Sequence, residues 1–152
     1  MVIIEDDLES PGTLELLALH LDGMREHTPA GHVHALDVSR LKAPEITFWT
    51  ARSGERVAGM AALRMLGDGV GELKSMRTHP DFIRQGVAAA LLEHVIATAK
   101  ARGLTRLSLE TGSGPGFDAA LTLYRQRGFT SGGAFGDYRA SDFNQFLHLQ
   151  LT

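Results

Sequence analysis

The chain has 152 residues, 43% of them hydrophobic and 22% charged, with a formal net charge of −3. These values suit a single domain over residues 1–152 with a core of ordinary size, and no apolar run is long enough to cross a bilayer. The mild negative charge argues against a general grip on nucleic acid, and the absence of cysteine removes disulfides, thiolate metal sites and a cysteine nucleophile.

In chain order, residues 2–5 read as a short strand, and an acidic start without a basic or apolar leader predicts a cytoplasmic protein. Ser10-Pro11 supplies an N-cap and a first-turn proline. Leu14, Leu17, Ala18, Leu21 and Met24 then keep helical spacing, so a helix over 11–27 follows. A loop over 28–34 and a shorter helix over 35–41 come before Pro44. Alternation over 46–52, a turn at Ser53-Gly54-Glu55 and a return over 56–66 predict a hairpin. The tight turn Gly67-Asp68-Gly69 leads into a strand over 71–78, so three antiparallel strands stand in succession.

The stretch 70–103 carries the most information. Its strand ends at His79-Pro80, crosses a polar turn, and opens at Gly86 into an amphipathic helix with Val87, Leu91, Val95 and Ala99 on one face. The turn Ile83-Arg84-Gln85-Gly86-Val87-Ala88 gathers unpaired backbone N–H groups and a helix N-terminus in one place. Orphan donors and the positive end of the helix dipole together attract phosphate. Between Lys74 and Arg106, six basic residues (Lys74, Arg77, Arg84, Lys100, Arg102, Arg106) against two acidic ones (Asp81, Glu93) strengthen that pull. A strand ending beside such a cradle predicts an enzyme that holds a nucleotide-tailed cofactor.

Gly103 closes the helix, and alternation over 104–110 makes a strand–helix–strand unit with parallel strands and a right-handed crossover. After a glycine-rich break at 112–116, a helix over 117–127 and a terminal antiparallel pair over 129–135 and 143–151 complete a mixed α/β fold.

That order, and three groups of residues, resemble the GNAT superfamily of N-acetyltransferases. The phosphate-loop pattern Gln/Arg-x-x-Gly-x-Gly/Ala falls on Ile83 to Ala88, departing from it at Ile83. Ala120-x-x-Leu123-Tyr124-x-x-x-Gly128-Phe129 resembles the family's tyrosine helix closed by Gly-Phe. Phe135-Gly136-Asp137-Tyr138 through Phe146-Leu147, with Val33 to Asp37, is similar to a bacterial subset of the family. The resemblance implies an acyl-CoA N-acyltransferase fold, a mostly antiparallel sheet with one parallel pair flanked by helices. It also implies acetyl-CoA as cosubstrate, no metal, and a primary amine of a small molecule or peptide as acceptor.

On this resemblance, the amides of Gln85, Gly86, Val87, Ala88 and Ala89 serve the diphosphate, Arg84 adds charge, and the main chain of Met76 and Thr78 pairs with pantetheine. An alkyl ammonium has a pKa near ~10.4, so a base is useful. Glu72, six residues before Thr78, is the first candidate, and Glu110 on the parallel neighbour the second. Tyr124 is the natural donor to the departing thiolate. Its ordinary pKa of ~10 against ~8.5 for a thiol makes it an assisting hydrogen-bond donor as much as an acid. His34, Glu110 and Tyr138 are expected to shape the acceptor pocket, with Asp137 and Trp49 nearby.

Plainer readings stand beside these. Glu72 reads equally as a solvated edge carboxylate paired with Lys74 or Arg56, and Tyr124 as a core tyrosine. The spacing of His20, His27, His32 and His34 makes no metal pair, and surface polarity accounts for His20 and His27. Gly112 to Phe117 nearly spells a dinucleotide fingerprint, but Pro115 removes a donor and too little chain follows. Apolar terminal strands suit a homodimer, membrane partners are not expected, and a non-catalytic acyl-CoA sensor of the same fold is the alternative function.

Overall fold

A computed structural model describes residues 1–27 and 38–152. The elements are β1 (Val2–Glu5), α1 (Pro11–His27), α2 (Val38–Leu41), β2 (Ile46–Ser53), β3 (Arg56–Gly67), β4 (Val70–Thr78), α3 (Val87–Ala101), β5 (Arg106–Thr111), α4 (Asp118–Gln126), β6 (Thr130–Ser131) and β7 (Gln145–Gln150). Short 3-10 turns at Pro80–Phe82 and Pro115–Phe117 introduce α3 and α4. The strands form one seven-stranded sheet in the order β1-β2-β3-β4-β5-β7-β6, antiparallel throughout except for β4 and β5.

Alternation of side chains distributes the two layers. Ala61, Leu63, Leu73, Leu107, Leu109 and Leu147 point to the face covered by α3 and α4, where Leu91, Leu92, Val95 and Tyr124 complete the core. Phe48, Met60 and Ala62 point to the other face and bury Leu16 and Leu17 of α1 with Leu41 of α2. Gly59 lets α3 sit close on β3. A Cβ there would meet Val87 Cγ1 at 2.6 Å and the Arg77 carbonyl at 3.0 Å.

The parallel pairing of β4 with β5 covers only Val70↔Arg106, Gly71↔Leu107 and Glu72↔Ser108. Beyond Glu72, β4 stays bonded to β3 as far as Thr78 but has no strand partner on its other side among the described residues. A bulge helps turn it away. Between the pairs Met60↔Arg77 and Ala62↔Lys74 the register slips, and Ser75 takes a positive φ of 54°. The sheet is therefore split from its middle to one end.

Two expectations change. The buried stripe of α1 runs through Thr13, Leu16, Leu17 and His20, while Leu14 and Ala18 are exposed. The strand expected over 129–135 shrinks to Thr130–Ser131, and Gly132 and Gly133 lead the chain out of the ladder. The helix over 35–41 is observed as Val38–Leu41, and its first three residues lie outside the described ones.

Candidate active site

The split between β4 and β5 is a cavity of about 700 Å³. Its mouth is the start of α3. Gly86 holds φ 80°, the left-handed region where glycine avoids the Cβ clash, and Arg84 before it also has positive φ, 62°. The helical ladder begins with Ala90 N–H donating to the Gly86 carbonyl at 3.0 Å. The amides of Val87, Ala88 and Ala89 are thus the helix's orphan donors, at the positive end of its dipole. Apart from its own chain neighbours, no atom of the described residues lies within 4 Å of where a Cβ on Gly86 would be, so the corner is open. Met76, Thr78, Arg84, Val87, Ala88 and Ala89 line this cavity with Gly86. Gln85 does not. Its side-chain amide donates to the Asp81 carbonyl at 3.4 Å and braces the loop from outside.

Glu72 sits where the two strands part. Its side chain is 1% exposed, so it is neither solvated nor paired with Arg56, which bonds Asp81 at 2.6 Å instead. The Tyr138 hydroxyl donates to Glu72 Oε2 at 2.5 Å, and the Lys74 ammonium approaches the same oxygen at 3.4 Å and the Tyr138 hydroxyl oxygen at 2.6 Å. Glu72 Oε1 is buried without a hydrogen-bond partner, with Arg64 Nη1 3.8 Å away. Burial, and then the Glu72 charge, push the Tyr138 phenol far above its ordinary pKa, so it keeps its proton. Tyr138 belongs to a second cavity, of about 570 Å³, on the sheet face away from α3; Glu72 and Lys74 line both.

Tyr124 and Glu110 reach the first cavity from the other side of the split. Tyr124 is 8% exposed, packs in the core against Phe129, and burial raises its phenol to about 12. It is both a core tyrosine and a wall of the cleft. Burial raises the Glu110 carboxyl, opposed by the Asn144 side-chain amide at 3.4 Å and the charge of Lys74. His34 lies outside the described residues. Trp49 is 3% exposed, stacked edge-on against His94, and lines neither cavity.

His20 corrects the surface reading. It is 7% exposed, lines the cleft, and its Nδ1 has no hydrogen-bond partner. Burial first, and then the charges of Arg77 and Lys74, lower its pKa to about 4, so it is neutral at pH 7. The signal was present in the sequence: position 20 lies four after Leu16 and three after Leu17, on the helix's apolar stripe. Arg64 and Arg106, which line the second cavity, carried no such local signal, because only strand register brings them beside Glu72. Among the described residues no group of three or more His, Asp or Glu could hold a metal ion, and no helix is long and apolar enough to cross a membrane.

A sheet split between two parallel strands, with a helix N-terminus at its mouth, is the architecture that the resemblance to acyl-CoA N-acyltransferases implies. Residues 13–129 match the acetyltransferase (GNAT) family model, and the chain belongs to that family. It is 47% identical over 146 residues to the uncharacterized N-acetyltransferase YedL of Escherichia coli (strain K12), covering 96% of this chain and 92% of that one. Among solved structures, a putative acyl-CoA N-acyltransferase from Klebsiella pneumoniae superposes with a TM-score of 0.79 at 24% identity, covering 99% and 97% of the two chains. An aminoglycoside 6'-N-acetyltransferase complexed with coenzyme A gives 0.74 at 15% identity, covering 100% and 98%. The fold expected from the sequence is the fold observed, and the protein is an acyltransferase.

Proposed function

We propose that the protein moves the acetyl group of acetyl-CoA to a primary amine of a small molecule or peptide, by direct attack in a ternary complex. The observation that carries this reading is the parallel ladder that stops at Glu72↔Ser108, with orphan amides at one end of the gap and a buried carboxylate at the other. The coenzyme A bound by the aminoglycoside acetyltransferase of similar fold supports it. Acetyl-CoA supplies an acyl thioester, whose carbonyl carbon is the electrophile.

The amides of Val87, Ala88 and Ala89 suit a diphosphate, with Arg84 adding charge and glycine at 86 leaving room for close approach. The unpaired edge from Met76 to Thr78 offers main-chain groups to an extended pantetheine arm, as a strand would. Glu72 Oε1, buried with no hydrogen-bond donor on it, is the acceptor for an ammonium proton, and Glu110 helps to hold the amine. Tyr124 lines the gap, and its hydroxyl has no hydrogen-bond partner among the described residues. With its pKa at about 12 against ~8.5 for a thiol, full proton transfer is uphill by roughly 5 kcal/mol. Tyr124 therefore acts by donating a hydrogen bond to the departing sulfur.

The test is release of free CoA thiol from acetyl-CoA across a panel of amines, with CoA binding measured by calorimetry in wild type and Gly86→Val. Turnover with at least one amine, and loss of CoA binding in a folded Gly86→Val, are expected. Tight CoA binding without turnover on any amine would instead favour an acyl-CoA sensor, and unchanged affinity in Gly86→Val would overturn the cradle.

A further inference from the structure

The second cavity stands over β3, β4 and β5, between Arg40 of α2 and the 135–138 loop. Strand register places Arg64, Glu72, Lys74 and Arg106 on its floor. Arg64 lies directly opposite Glu72, and Arg106, opposite Val70, stands one row away on the same face. Lys74 is already committed to Glu72 and Tyr138. Two buried side-chain atoms at this floor have no hydrogen-bond partner: Glu72 Oε1, which can only accept, and Arg106 Nε, which can only donate. Arg106 also makes no ion pair among the described residues. The acids at the rim, Asp68 and Asp137, are exposed and neither lies within ion-pair distance of Arg64 or Arg106. A buried donor and a buried acceptor left without hydrogen bonds on one cavity floor are unfavourable until something of opposite polarity meets each of them.

We infer that the acceptor is a small zwitterion, with its amine at Glu72 Oε1 and an oxyanion, carboxylate or phosphonate, held by Arg106 and Arg64. The inference rests on the acetyl-transfer reading above and narrows its acceptor. An ammonium meets the Glu72 oxygen that accepts no hydrogen bond, and an oxyanion meets guanidinium groups, which bind carboxylate or phosphonate through paired N–H donors. Glu72 belongs to both cavities, so an amine resting there faces the split through which the thioester would arrive. Arg106 is thereby a specificity residue that touches the acceptor away from the reacting nitrogen.

The experiment measures CoA thiol release with matched acceptors: α-, β- and γ-amino acids, the carboxamide of each, and aminoalkylphosphonates. At least one acid or phosphonate should exceed its neutral counterpart by about tenfold to a hundredfold in kcat/KM, the range of a charge-assisted hydrogen bond. Whichever is better names the oxyanion. Arg106→Gln should erase that preference through KM for the acid, leaving KM for acetyl-CoA and for the carboxamide unchanged; Arg64→Gln gives the same readout should Arg106→Gln fold poorly. Carboxamides acetylated as well as the acids would overturn the inference while leaving acetyl transfer intact. Failure to acetylate any member of the panel or any simple amine would overturn both.

Discussion

Two buried carboxylates, Asp6 and Glu72, show how this fold separates scaffold from site. The Asp6 side chain is 2% exposed and fully engaged. Its Oδ2 accepts from Arg52 at 2.7 Å, Thr50 at 2.8 Å and Thr13 at 2.9 Å, and its Oδ1 from the Leu8 amide at 2.8 Å. Burial alone would raise its pKa, but Arg52 and these donors outweigh it and hold the carboxyl below the usual range. Glu72 is equally buried and has a cation and a hydroxyl on one oxygen, yet the other accepts no hydrogen bond and has only the Arg64 guanidinium 3.8 Å away. A carboxylate with every lone pair spoken for ties β1, α1 and β2 together. One that is half satisfied is available for chemistry.

The largest effect should come from Glu72→Gln. Turnover should fall about a hundredfold to a thousandfold, the range of a general base, while the thermal midpoint drops less than in Asp6→Asn. A loss below tenfold would erase the distinction between the two carboxylates. Asp6→Asn should instead cost about 2–3 kcal/mol in urea unfolding, because a half-buried guanidinium loses its counter-charge and three further donors lose a charged acceptor, with turnover per folded molecule unchanged. If activity fell as steeply as stability, Asp6 would belong to the site.

His20 sharpens the comparison from the side of pH. Its folded pKa of about 4 lies below the ordinary 6.5, so the unfolded chain binds its proton more tightly. Its contribution to stability is complete above pH 6.5 and is lost as pH falls toward 4, by up to roughly 3 kcal/mol. His20→Gln should flatten that limb of a thermal-midpoint profile; an unchanged limb would place the acid sensitivity elsewhere. The smallest effect is Tyr124→Phe. With no partner on its hydroxyl, stability should stay within about 0.5 kcal/mol and kcat should fall about tenfold. Unchanged kcat would reduce Tyr124 to packing.

Local signals made the helices and the β2–β4 meander legible. Gly86 and the stripe from Val87 to Ala99 announced both α3 and the cradle, because helix starts and apolar periodicity are written in adjacent residues. The strand over 129–135 was read too long because Phe129 and Phe135 suggested an alternating run that Gly132 and Gly133 interrupt. His20 was legible but overlooked, since a polar residue on an apolar stripe reads as surface until its neighbours are buried. Arg64, Arg106 and the open oxygen of Glu72 were beyond reach. They meet only through the pairing of β3 with β4 and β4 with β5, and register across long connections is not encoded in any short window.

Among the described residues, the ladder joining the β1–β4 half of the sheet to the half made of β5, β7 and β6 has three residue pairs, extended at one end by the Gly69 carbonyl, which accepts from the Thr105 and Arg106 amides. Such a short seam makes the molecule a clasp whose two leaves part most easily along Leu73–Thr78. In deuterium oxide, the amides facing that line should exchange through shallow breathing until a thioester lies along them. On the proposed reading the ligand serves as the missing ladder, and binding and mechanical closure become one event.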